Sequence, residues 1–137
     1  WLKGHRLVRA RGETYPLLVP ARAGAVLGAL VHGLTAADAQ RLAFFEGEEY
    51  ETHPVMVRLG PHRLARAFAF RALPALASDG RAWSFETWRR HHKRPFLSLA
   101  RLWMEVYRDR DLAYAEALWR ERRRHGLTAA LRRGSRP

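Results

Sequence analysis

The chain has 137 residues, 47% of them hydrophobic, which suits one compact domain and leaves little room for a second. It contains no cysteine, which excludes disulfides and thiolate metal sites, and no apolar run approaches the ~20 residues that span a bilayer as a helix. The net charge is +12, with ten basic and seven acidic residues up to position 80 and fifteen against six beyond it, so the C-terminal part attracts anions in a salt-dependent way.

The chain opens on Trp1 rather than Met, as a piece of a longer polypeptide does, and no signal peptide is visible. Residues 6–11 and 15–19 read as strands around the reversal Gly12-Glu13, with Pro16 and Pro20 placing the second at an edge or strand end. Residues 26–32 are nearly continuously apolar, the pattern of a strand buried on both faces, and Gly28 within them suggests a bulge or the close approach of another backbone or ligand. The period then changes. Thr35 is a good N-cap, Asp38 falls in the first turn, and Leu34 is placed to staple onto Ala39, so residues 36–45 read as a helix stopped by Gly47.

Residues 53–59 alternate, with Val55 and Val57 facing one way, and Gly60-Pro61-His62 turns the chain into residues 63–73. On that return strand Leu64 is set apart from a Phe68/Phe70 stripe. Residues 74–82 read as a loop. Ser84 caps a helix through about Lys93, and Pro95 sits in the first turn of a second, with Phe96, Leu99, Trp103 and Val106 at helical spacing. Asp111 opens a third, carrying Leu112, Ala115, Leu118 and Trp119 on one stripe.

The stretch Leu42-Ala43-Phe44-Phe45-Glu46-Gly47-Glu48-Glu49-Tyr50 carries the most chemistry. Glu46 follows two large aromatics and precedes the helix-stopping glycine, so its carboxyl is half-enclosed by apolar groups. Shielding of that kind resists ionisation and moves proton affinity toward neutral pH, as a general base or acid requires. The alternative is that Glu46, Glu48, Glu49 and Glu51 are four carboxylates on a solvated turn.

These residues, with Tyr15-Pro16-Leu17-Leu18-Val19-Pro20 and Val26-Leu27-Gly28-Ala29-Leu30-Val31 before them, resemble the gamma-glutamylcyclotransferase-like family. Its members show a "YP.l" segment, a "v.G.l" strand and a "LD.fEG..Y" helix end in the same order. The match covers roughly residues 6–73, and Trp83-Ser84-Phe85-Glu86-Thr87-Trp88 looks like the helical C-terminal extension of a bacterial subgroup. The resemblance implies an α+β protein: a small mixed β-barrel over residues 1–80, lacking its first strand and loop, with a helical extension over 81–137 packed on it. It also implies that Glu46 matches the family's catalytic glutamate. In the family chemistry that carboxylate takes a proton from the α-amine of a γ-glutamyl amide, and the amine attacks its own γ-carbonyl to close 5-oxoproline and release an amine. No cofactor is implied, and the setting is cytoplasmic.

The chain departs from the family pattern in three places. The "YGTL"-type loop that supplies donors to the substrate carboxylate would lie before Trp1, Ala43 stands where the family has Asp, and Phe68 or Phe70 stands where the last barrel strand commonly has Tyr. Tyr50 lies four residues after Glu46 and either orients substrate by its hydroxyl or packs on the barrel; Tyr15 invites the same two readings, with core packing favoured.

His91 and His92 are adjacent and the other five histidines scattered, so no i, i+3 or i, i+4 ligand set with a carboxylate exists. Arg120, Arg122, Arg123 and Arg124 complement a helix C-terminus. A nucleic-acid stripe is not favoured, because no exposed aromatic series accompanies them for base stacking. Trp83, Trp88, Trp103 and Trp119 read as cement between helices and barrel. Two function classes result: a γ-glutamyl cyclotransferase acting on a small-molecule γ-glutamyl substrate, or a non-catalytic binding module whose basic helical half docks on an anionic partner. Neither involves a membrane.

Overall fold

The computed structural model describes residues 1–109; the third helix expected from Asp111 and the Arg120–Arg124 cluster lie outside the described residues. The chain divides into two units, Trp1–Trp88 and Arg89–Pro137. The first holds the strands β1 (Leu2–Ala10), β2 (Pro16–Val26), β3 (Tyr50–Arg58), β4 (Leu64–Ala72) and β5 (Ser78–Ala82), with helix α1 (Ala36–Glu46) between β2 and β3. Helices α2 (Phe85–His91) and α3 (Lys93–Asp109) follow. The α+β class is as expected. The sheets, however, are two separate antiparallel ones, ordered β2-β1-β5 and β3-β4, and are not closed into a barrel. They meet where Trp1 and Arg58 exchange a reciprocal pair of backbone hydrogen bonds, both 2.8 Å.

The β1–β2 hairpin forms around the expected reversal. Ala10 N–H donates to Tyr15 O at 3.2 Å, Glu13 N–H to Ala10 O at 3.1 Å, and Gly12 takes the positive φ of 76° that the turn demands. Val8, Ala10 and Leu17 from these two strands are the buried core, with Tyr15, Val19, Tyr50, Ala72 and Leu76 packed against it.

Three expectations fail here. β2 runs straight through Pro20 to Val26, and residues 27–35 form no strand: Leu27 is 67% exposed and Val31 66%. The pairing of β2 with β1 ends at Val26, which faces Leu2, and residues 27–32 join no strand. The glycine in close contact is therefore Gly24, not Gly28. A Cβ on Gly24 would lie 2.3 Å from His5 O, at the bulge between Lys3 and His5, whereas one on Gly28 would meet nothing. Residues 78–82, expected as loop, are β5. That strand carries no apolar pattern, and polar contacts hold it: Arg9 Nε donates to Asp79 Oδ2 at 2.6 Å, and Ser78 Oγ donates to Arg9 O at 3.2 Å.

β3 and β4 pair in unbroken register from Tyr50↔Ala72 to Arg58↔Leu64. The two-residue period puts Leu64 on the same face as Phe68 and Phe70, correcting the expectation that set it apart. Trp83, Phe85 and Trp88 form a cluster with centroids 6.0–6.2 Å apart, and Trp83 Nε1 donates to Thr14 O at 2.9 Å. In the second unit Pro95 lies in the first turn of α3, and Trp103 is buried.

Candidate active site

Helix α1 exists because its ends are specified. At its start Thr35 and Asp38 make a full capping box: Asp38 N–H donates to Thr35 Oγ1 at 3.1 Å and Thr35 N–H to Asp38 Oδ2 at 3.0 Å. The Thr35 hydroxyl also donates to Asp38 Oδ2 at 2.7 Å; that bond first, and the Thr35 N–H after it, hold the Asp38 carboxyl below the ordinary range, with Arg41 adding a smaller pull in the same direction. The staple from Leu34 to Ala39 does not shield Leu34, which stays exposed. At the other end Gly47 adopts φ 76° and its N–H returns to Ala43 O at 3.1 Å. Few side chains other than glycine take that φ at ease, so the helix stops with Glu46 as its last residue.

No residue of α1 is fully buried, yet Phe44, Phe45 and Glu46 are all half-buried, while Glu48 and Glu49 of the turn that follows are exposed. Burial pushes the Glu46 carboxyl up from its ordinary value. The cause is loss of solvation of the charged form. The four carboxylates of this stretch are thus not equivalent. Glu51 accepts from Arg71 Nη2 at 2.6 Å in a partly exposed ion pair across the hairpin.

From Glu46 the chain reaches β3 in one turn. Tyr50 N–H donates to Gly47 O at 3.4 Å, and Leu73 N–H donates to Glu49 O at 2.8 Å, tying the turn to the end of β4. Tyr50 opens β3, and Tyr15 lies just before β2. Both pack against the Val8–Ala10–Leu17 cluster. The structure therefore brings the two tyrosines to one cluster and starts the first wall of the hairpin directly after Glu46.

Sequence reasoning missed the surface that continues from Tyr50. Phe70, Phe68, Met56 and Leu64 share the register face of Tyr50 and Ala72, which is covered at the Tyr50 end and open at the other. Its signal was present in residues 64–70, where alanine and a larger residue alternate strictly. Among the described residues no three His, Asp or Glu side chains are grouped as a metal site, and no helix is long and apolar enough to cross a membrane.

Comparison with known proteins adds a family. The model described as "Gamma-glutamyl cyclotransferase, AIG2-like" matches residues 1–90. AIG2-like protein A of Arabidopsis thaliana is 30% identical over 109 residues, covering 76% of this chain and 64% of its own length. AIG2-like protein B of the same plant is 32% identical over 98 residues, covering 70% and 57%. The solution structure of another Arabidopsis thaliana protein aligns at 30% identity and a TM-score of 0.49, covering 77% of this chain and 72% of that one. The chain thus spans somewhat under two thirds of the length of the curated relatives it matches.

Proposed function

Because the chain belongs to the gamma-glutamyl cyclotransferase, AIG2-like family, we propose that it cyclises γ-glutamyl amides to 5-oxoproline, with Glu46 as general base. The observation that carries this reading is the half-buried carboxyl at the end of α1, whose proton affinity burial has raised. A carboxylate shifted in this direction is a stronger base than an ordinary exposed glutamate, the direction a general base requires.

The reaction is an internal acyl transfer. Ionised Glu46 takes a proton from the substrate's α-amino group as its nitrogen attacks the γ-carbonyl carbon. A carbon–nitrogen bond closes the five-membered ring. As the tetrahedral centre collapses, the bond to the leaving nitrogen breaks, and Glu46-H returns the proton to that nitrogen. No water, oxidant or cofactor is consumed. Attack within one molecule requires only that the glutamyl chain be held folded, and positioning of that kind is worth several kcal/mol.

We assign Tyr50 and Tyr15 to the substrate's surroundings; both rings pack on the Val8–Ala10–Leu17 cluster. The small-molecule substrate and a cytoplasmic setting belong to the same proposal. The test is direct: incubate the protein with a γ-glutamyl amide and follow 5-oxoproline by mass spectrometry. Wild-type protein releases it, and Glu46→Gln, with an unchanged circular dichroism spectrum, does not. Equal turnover by the variant removes Glu46 from the mechanism.

A further inference from the structure

We propose that the second unit carries a binding surface for double-stranded DNA, centred on the basic run Arg89-Arg90-His91-His92-Lys93-Arg94 and continued by Arg101. The run spans the end of α2 and the start of α3. Arg89, Arg90, Lys93, Arg94 and Arg101 are all exposed, and the sequence holds no Asp or Glu from residue 87 to residue 104. Helix stability accounts for only part of this charge. Arg89 and Arg90 lie in the last turn of α2, where cations complement the helix dipole. Lys93 and Arg94 open α3, whose first turn holds no acidic residue and whose dipole opposes positive charge there. Four cations within six residues also repel one another. Charge placed against both effects breaks the local rule, as residues kept for an anionic partner do.

The build of α3 selects among anionic partners. Arg94 and Arg101 are two turns apart, about 10 Å along the helix, with exposed Leu97 and Ser98 between them. Phe96, Leu99 and Ala100 are half-buried and Trp103 is buried, so the apolar side of the helix is already covered. A helix lying in a membrane surface needs that side for the acyl chains, which argues against a lipid partner. Protein partners are anchored by large apolar or aromatic side chains at the interface centre. Here Leu97, 40% exposed, is the one large apolar side chain exposed between the two arginines. Single-stranded nucleic acid stacks its bases on aromatic rings, and Phe96, the one Phe, Tyr or Trp among residues 89–101 other than those beyond Arg101, is half-buried. A duplex keeps its bases stacked within itself and presents phosphates, which arginine meets two oxygens at a time. The major groove of B-form DNA admits a helix, whereas that of duplex RNA is too narrow. The contacts are to phosphates, so binding is indifferent to base sequence. This surface is independent of the chemistry at Glu46.

The whole protein is titrated into a fluorescently labelled DNA duplex of about 20 base pairs and anisotropy is followed at two salt concentrations. Binding through the five named cations is expected to weaken by two to three orders of magnitude between about 50 and 200 mM salt. Arg94→Gln combined with Arg101→Gln is expected to weaken binding about tenfold at the lower salt and to make the salt slope shallower by about two. Arg22→Gln combined with Arg66→Gln removes the same charge from exposed positions of the first unit and is expected to leave the affinity within about threefold of wild type. Circular dichroism checks that both double variants keep the wild-type fold. No binding at the lower salt overturns the proposal, and so does equal weakening by the two double variants, which would make the attraction a diffuse effect of net charge. Tighter binding of a single strand, of duplex RNA or of phosphatidylglycerol vesicles than of duplex DNA assigns the surface to another partner and equally overturns it.

Discussion

A carboxyl that loses solvation on folding couples two observables with opposite signs, and Glu46 is such a group. Its folded pKa lies above its unfolded one, so the folded state holds the proton more tightly. The associated stability is fully present below the unfolded pKa and is lost as pH rises through the folded one. Activity that needs the ionised base runs the other way and grows over the same interval. Thermal melts of Glu46→Gln are therefore expected to lose less stability than wild type as pH rises from the ordinary glutamate range toward neutrality; parallel curves for the two proteins would show that Glu46 is not shielded. Gly24 makes a second prediction at this scale. A methyl group there would collide with His5 O, 2.3 Å away on rigid backbone, so Gly24→Ala is expected to cost about 1–3 kcal/mol in denaturant unfolding. An unchanged midpoint would mean that the bulge opens freely.

Elements differ in what holds them. Helix α1 has no fully buried side chain, so its caps carry an unusual share of its stability. Thr35→Ala is expected to lower stability by about 1 kcal/mol and to loosen the presentation of Glu46, read as a faster amide exchange through residues 36–46. The Asp38 carboxyl, held low by Thr35, contributes above the ordinary carboxylate range, and that contribution is lost as pH falls through its depressed pKa. β5 depends on Arg9 and Asp79. Desolvation pushes the Asp79 carboxyl up, but the Arg81 backbone N–H and the Arg9 guanidinium together hold it below the ordinary range. Asp79→Asn is expected to raise amide exchange in residues 78–82 several-fold while leaving β3–β4 unaffected, the modest effect of a partly exposed pair.

These differences explain what was legible in the sequence. The α1 caps, the Gly12 reversal and the β3–β4 hairpin are local signals, written within a few residues of where they act, and each appears where expected. β5 was unreadable because Ser78-Asp79-Gly80-Arg81-Ala82 has no apolar alternation; its strand character comes from a partner about seventy positions away. Residues 27–32 misled in the opposite direction: the run is apolar, yet it forms no strand and leaves Leu27 and Val31 exposed. The position of Glu46 at the helix end was legible from Gly47, whereas the apolar face reaching from Tyr50 to Leu64 needed the register of two strands.

For the whole molecule, a net charge of +12 governs encounter more than fold. Any association with a polyanion is expected to weaken steeply with salt, and salt-independent binding of an oligonucleotide would point to contacts beyond charge. A γ-glutamyl substrate with a free carboxylate gains from the same field. The proposed function nevertheless rests on one shielded carboxyl in a strongly basic chain, and its ionisation can be read in two independent ways on the same sample. Carbon-detected NMR titration of the Glu46 side chain, beside the pH profile of kcat/KM for 5-oxoproline release, is the most direct examination. Glu46 is expected to titrate above the ordinary glutamate range, with the acid limb of the rate profile at the same midpoint. A Glu46 that titrates like a solvated glutamate, or a rate profile indifferent to its ionisation, would contradict its role as the base.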